Sequence, residues 1–137
     1  MTVRAGRRRL ATSLAVVAAL MLVTAACGGT TSTSSPRLIS VAEFEKAVGR
    51  SNTVTINVHT PHEGDIPGTD LVVAFDQIPA SKELPKDHST PLAVYCRSGN
   101  MSAIAVSTLK ALGYTNIVEL SGGYNAWVQS GRTLTST

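Results

Sequence analysis

The chain has 137 residues, 43% of them hydrophobic, 4% aromatic and 15% charged, with 12 basic and 9 acidic side chains for a net charge of +3. That length suffices for one compact domain and excludes two. Four of the basic residues, Arg4, Arg7, Arg8 and Arg9, stand before Cys27, which leaves eight against nine acidic residues and excludes a basic nucleic-acid surface on the remainder.

Those arginines open a leader. Leu10 to Ala26 follows, 17 residues without a charge, at the short limit for a bilayer span of ~20 residues. It ends in Val23-Thr24-Ala25-Ala26-Cys27, whose small side chains let an extended segment enter the narrow cleft of a signal peptidase. The segment resembles the lipobox of bacterial lipoproteins, with Thr24 where that pattern prefers Leu. The resemblance implies a signal peptide over residues 1–26, cleavage before Cys27, and diacylation of Cys27. The protein would then be lipid-anchored on the extracytoplasmic face of the cell membrane. Residues 27–36 are polar, rich in Gly, Ser and Thr, and read as a flexible tether. With Cys27 acylated, Cys96 is the remaining thiol of two, in a compartment where structural cysteines pair.

Over residues 37–137 short apolar strands alternate with helical patterns. This predicts one α/β domain, a mostly parallel sheet of about five short strands with helices on both faces. Leu38-Ile39 is a short strand. Ser40, with Glu43 three residues on, forms a capping box for a helix that runs to Val48, stops at Gly49 and buries Val41, Phe44 and Val48. Thr53 to Val58, Leu71 to Val73 and Leu92 to Tyr95 read as strands covered on both faces. Met101 to Leu112 is the clearest helix, with Met101, Ile104, Ala105, Thr108 and Leu112 on one face and Gly113 as its stop. Ile117 to Leu120 is a last strand, and Gly122-Gly123 turns the chain into a short helix carrying Ala126 and Trp127.

Strand Leu92–Tyr95 runs directly into Cys96-Arg97-Ser98-Gly99-Asn100, and the long helix follows. A thiol there sits at the carboxyl end of a strand and the amino end of a helix, the edge at which open α/β sheets bind ligands. Free N–H groups and partial positive charge at the helix terminus favour an anion or a thiolate, the reactive form of cysteine. Arg97 places a positive charge beside it, and Gly99 lets the backbone curl so that amides point inward. Ser98 or Asn100 is expected to cap the helix. His59 closes a strand whose carboxyl end faces the same edge, although a histidine so placed is more often exposed in a loop. Glu63, Asp65 and Asp70 read as solvated loop carboxylates, and Trp127 as packing on the core. The spacing of His59, His62 and His88 matches no compact metal-ligand pattern, so neither a metal nor a cofactor is expected.

Three motifs in this order resemble the rhodanese-like family: Ile66-Pro67-Gly68, the loop Cys96-Arg97-Ser98-Gly99-Asn100-Met101-Ser102, and Leu120-Ser121-Gly122-Gly123 with Trp127. The resemblance spans roughly Leu38 to Gly131. It implies a sulfurtransferase in which Cys96 accepts a sulfane sulfur as a persulfide and passes it to a thiol or cyanide. Backbone amides of the loop from Arg97 to Ser102 would cradle the sulfur or an incoming anion, with His59 a further contact. The implied partners are a small sulfur-containing anion or persulfide donor and a thiol acceptor, which a second protein can supply. Departures from the family pattern lie at Met101, often Arg or another polar residue there. Asn57-Val58-His59 stands in place of Asp-x-Arg, and Asp65 in place of His. Protein tyrosine phosphatases have a cysteine loop of similar shape but need Arg six residues after the cysteine, where this chain has Ser102. A thiol redox or sulfur-relay module shares the persulfide intermediate, and a non-catalytic binding domain would retain only the fold.

Overall fold

The structure is a computed structural model that describes residues 36–136, all within Ser32–Thr137, the second of the two units into which the chain divides. The expected signal peptide at 1–26, the acylated Cys27 and nearly all of the tether at 27–36 lie outside the described residues. Among the described residues no helix is long and apolar enough to cross a membrane.

Five strands form one sheet: β1 (Arg37–Ile39), β2 (Val54–Asn57), β3 (Leu71–Val72), β4 (Leu92–Tyr95) and β5 (Ile117–Leu120), in the order β1-β5-β4-β2-β3. Every pairing in it is parallel. Parallel neighbours need crossovers, and α1 (Val41–Val48), α2 (Asn100–Ala111) and α3 (Gly123–Gln129) connect or follow the strands. A 3-10 turn at Ile78–Ala80 lies between β3 and β4.

Side chains alternate across a strand, so β4 feeds two cores. Leu92 and Val94 join Ala105, Val106 and Leu109 of α2 and Ile78 on one face. Ala93 and Tyr95 join Phe44 and Ala47 of α1 and Tyr124 and Trp127 of α3 on the other. The expected architecture of helices on both faces is therefore present. Burial of each large side chain stabilises the fold by about 1.5–3 kcal/mol. β4 and β5 have the bounds expected from their apolar runs.

The Ser40–Glu43 capping box forms: Ser40 N–H donates to Glu43 Oε2 at 3.0 Å and Glu43 N–H donates to Ser40 Oγ at 3.4 Å. The expected buried set of α1 is corrected. Phe44 and Ala47 are buried, whereas Val41 and Val48 are partly so. β3 is not covered on both faces; it is a two-residue edge strand and Val72 is exposed. The face of α2 is also rotated from expectation. Ser102, Ala105, Val106 and Leu109 are buried, while Ile104 and Leu112 are exposed. Ala105 alone is common to the expected face and the buried set, because α2 is rich in small and apolar residues on every side and its pattern does not single out one stripe.

Candidate active site at the Cys96 loop

Cys96 follows the last residue of β4, the most buried strand, and α2 begins four residues later. Gly99 is the N-cap of α2, with φ of +106°, the left-handed region that favours glycine. That conformation turns the chain back so that Gly99 N–H donates to Cys96 Sγ at 3.0 Å. No side chain caps the helix, which corrects the capping role expected of Ser98 or Asn100; both are solvent-exposed.

The loop is held from behind by α3. Tyr124 N–H donates to Cys96 O at 2.9 Å and Asn125 N–H to Arg97 O at 3.0 Å. Gly123 makes this approach possible. A Cβ there would lie 2.3 Å from Cys96 O and 2.5 Å from Arg97 C and O. The Gly-Gly segment thus lets one helix start seat the loop that opens another.

Cys96 is 1% exposed and unpaired. Burial pushes its thiol up, but bonds from the Ser102 hydroxyl and from the backbone of Ser102, Gly99 and Ser98 outweigh burial and hold it below the ordinary thiol value. The sulfur lies 3.4 Å from Ser102 Oγ. An inert buried cysteine is expected to rise, not fall. Met101 is partly buried and packs against the apolar cluster of α2.

Arg97 behaves differently from expectation. Its Nη1 donates to both oxygens of Glu63, at 3.2 and 3.4 Å, and both side chains are about half exposed. Its guanidinium is engaged with that carboxylate, so the lowering of the thiol rests on Ser102 and the backbone. Glu63 also accepts a hydrogen bond from Tyr124 Oη. That bond is the main cause holding the Glu63 carboxyl below its usual range, against a smaller opposing effect of burial.

His59 is at the expected edge but is buried, not exposed. It packs edge-on against Tyr124, ring centroids 5.6 Å apart. Its Nε2 lies 3.3 Å from Glu63 Oε2 without hydrogen-bond alignment, and neither ring nitrogen has a hydrogen-bond partner. The structure therefore gathers Cys96, Arg97, His59, Glu63 and Tyr124 around the carboxyl ends of β4 and β2.

The remaining loop carboxylates are not simply solvated. Asp65 Oδ1 accepts from Asn57 Nδ2 at 2.9 Å and from Tyr95 Oη at 3.3 Å, and its Oδ2 lies 2.9 Å from His62 Nε2. Asp70 Oδ2 accepts from Thr55 N–H at 2.8 Å. Asn57 and Asp65, both departures from the family pattern, are thus bonded to each other. Tyr95 Oη accepts from Ile66 N–H at 2.9 Å, tying the Ile-Pro-Gly turn to the strand that leads into Cys96. Trp127 is buried as expected, its Nε1 donating to Thr133 O at 3.0 Å.

Glu119 and Tyr124 escaped notice in the sequence. Glu119 is 3% exposed and accepts from Ser102 Oγ at 2.5 Å. A lone acid within the apolar run Ile117–Leu120 of a central parallel strand was the available signal. Among the described residues no group of three or more His, Cys, Asp or Glu is placed to hold a metal ion.

A model of the rhodanese-like domain matches residues 40–130. The chain belongs to the rhodanese-like family. A sulfurtransferase of Allochromatium vinosum is 32% identical over 91 residues, covering 64% of this chain and 82% of that protein. An adenylyltransferase and sulfurtransferase of Ogataea parapolymorpha is 37% identical over 70 residues, covering 51% of this chain and only 16% of that larger protein. Among solved structures, a rhodanese-related protein of Thermoplasma volcanium superposes with a TM-score of 0.60 at 29% identity, covering 72% of this chain and 96% of that one. This rhodanese-like chain has the parallel five-stranded α/β fold expected from its alternating strand and helix patterns.

Proposed function

We propose that this rhodanese-like protein is a sulfurtransferase that carries sulfane sulfur on Cys96. The observation that carries the reading is the thiol held below its ordinary value at a strand–helix junction by Ser102 and loop backbone. The sulfurtransferase of Allochromatium vinosum, matched over most of its length, supports the same reaction class.

In the first half-reaction the Cys96 thiolate attacks the outer sulfur of thiosulfate or of a persulfide. A Cys96–sulfur bond forms, the donor's S–S bond breaks, and sulfite or a thiolate leaves with the electron pair. In the second, cyanide or an acceptor thiolate attacks the terminal sulfur and Cys96 leaves as thiolate. The loop amides from Arg97 to Ser102 stabilise charge on the terminal sulfur, and His59 with Glu63 and Tyr124 lines the adjoining edge. Met101 packs on the core and brings no cation to the loop, which favours a neutral persulfide donor over an anionic one.

The acylated Cys27 and tether place the domain at the extracytoplasmic face of the membrane in this reading. Replacing Cys27 with Ser should abolish lipid attachment; a wild-type protein that carries no lipid would refute it. The reaction itself is tested by thiocyanate formation from thiosulfate and cyanide, and from a persulfide and cyanide. We expect activity with at least the persulfide, and Met101→Arg to favour thiosulfate selectively. Absence of turnover with every donor would refute the proposal.

A further inference from the structure

Cys96 heads a buried row of three groups whose far end, Glu119, sulfur transfer as written above does not use. Cys96 Sγ is 3.4 Å from Ser102 Oγ, and Ser102 Oγ is 2.5 Å from Glu119 Oε1. Ser102 is fully buried, and Cys96 and Glu119 are 1% and 3% exposed. The second distance is at the short end for a hydroxyl on a carboxylate. Ser102 Oγ has a further acceptor in Gly99 O at 3.1 Å.

A buried carboxylate with one hydroxyl partner is an expensive feature unless the charge is used or removed. Burial indeed pushes the Glu119 carboxyl up, with the Ser102 bond opposing only in part. The two ends of the row are thus displaced in opposite senses, thiol down and carboxyl up. A serine hydroxyl has one proton and can direct it to one end at a time. Two arrangements keep the hydroxyl proton within the row. In one, the thiol donates to Ser102 and Ser102 donates to the Glu119 carboxylate. In the other, Glu119 is the acid, donates to Ser102, and Ser102 donates to the thiolate.

We propose that Glu119 is a positioning residue that takes up the Cys96 proton through Ser102. The S–H bond breaks and its electron pair stays on sulfur. That proton bonds to Ser102 Oγ as the hydroxyl's own proton passes to Glu119 Oε1. The row keeps two protons and one negative charge throughout, so the thiolate forms without a base from solvent. Cys96 and Glu119 then titrate as a pair, with two macroscopic steps.

The surroundings keep this exchange local. Register places Leu38 of β1 and Val94 of β4 beside Glu119. α2 buries Ala105, Val106 and Leu109 on the same face, and its one charged residue, Lys110, is in its last turn, away from Ser102. α1 packs on the opposite face through Phe44 and Ala47. At the sulfur end the titratable groups are Tyr124 of α3, bonded to Glu63, and His59 and Arg97, both beside that same carboxylate.

The inference rests on Cys96 being the nucleophile, and its test needs no sulfur donor. In the full chain carrying Cys27→Ser, Cys96 is the sole thiol, and its rate of alkylation by iodoacetamide is followed against pH. We expect a two-step rise separated by a plateau. Glu119→Gln, which keeps a hydrogen-bond acceptor but cannot take a proton, should lose one step. So should Ser102→Ala. A one-step profile in the Cys27→Ser chain, or two steps that survive Glu119→Gln, would overturn the proposal. Should either variant fail to fold, infrared spectroscopy of the Cys27→Ser chain decides. A carboxylic-acid stretch at neutral pH that is lost on alkylation of Cys96 supports the exchange, and its absence or persistence overturns it. Two steps without sulfur loading would leave the proton exchange standing and sink sulfur transfer alone.

Discussion

Replacing Gly123 with Ala perturbs the contact between α3 and the Cys96 loop at one atom. The added Cβ would stand 2.3 Å from Cys96 O and 2.5 Å from Arg97 C and O. All three are backbone atoms, so no side chain can swing aside. Gly123 also has φ of +60°, where an L-residue is destabilised by about 1–2 kcal/mol. Overpacking of a close contact adds about 1–3 kcal/mol, for a combined loss of about 2–5 kcal/mol. Domains of this size are stable by about 5–15 kcal/mol, so the variant should fold with a reduced margin. Gly99→Ala is the control: φ is +106° but a Cβ there meets nothing within 4 Å, so strain alone applies, about 1–2 kcal/mol. Urea denaturation followed through the single tryptophan, buried Trp127, reads both. Alkylation of Cys96 should also change in Gly123→Ala, because the loop carbonyls must move. A Gly123→Ala protein no less stable than Gly99→Ala, with unaltered alkylation, would refute the account of how the loop is seated.

Three further outcomes follow from the site. Tyr95→Phe leaves the buried Ile66 N–H without its acceptor and should lower stability by about 1–3 kcal/mol in urea denaturation. Arg97→Ala should move stability by about 1 kcal/mol or less, since its pair with Glu63 is exposed, and should leave the Cys96 alkylation profile nearly in place. The Asp65 carboxyl is held below its ordinary value, because its bonds to Asn57, His62 and Tyr95 outweigh burial. Its contribution is therefore present above the unfolded aspartate value of about 3.9 and lost as pH falls through the folded one. Asp65→Asn should flatten the acid side of a stability–pH curve; an unchanged slope would contradict this.

Elements that depend on local pattern were legible in the sequence. The apolar runs of β4 and β5 and the Ser40–Glu43 box needed only neighbours in the chain. The Cys96 loop was legible for the same reason, being one strand end followed by one helix start. What failed depended on tertiary pairing. Arg97 and Glu63 are 34 residues apart and meet because β2 lies beside β4. His59 is buried because α3 returns over the edge and sets Tyr124 against it. Ser102 belongs to the buried face of α2 through its bonds to Gly99 and Glu119 and not through hydrophobicity, which is why an apolar-face reading put Met101 there instead. Asn57, Asp65 and Tyr95 converge from the end of β2, the following loop and the end of β4, a network that spacing alone does not reveal.

The most direct measurement is the intact mass of the Cys27→Ser chain after exposure to thiosulfate or to a persulfide donor, followed by cyanide. The account predicts a gain of one sulfur atom on Cys96, its removal by cyanide, and no gain in Cys96→Ser, whose hydroxyl cannot form a persulfide. A folded chain whose Cys96 is alkylated by iodoacetamide yet gains no sulfur from any donor would contradict it.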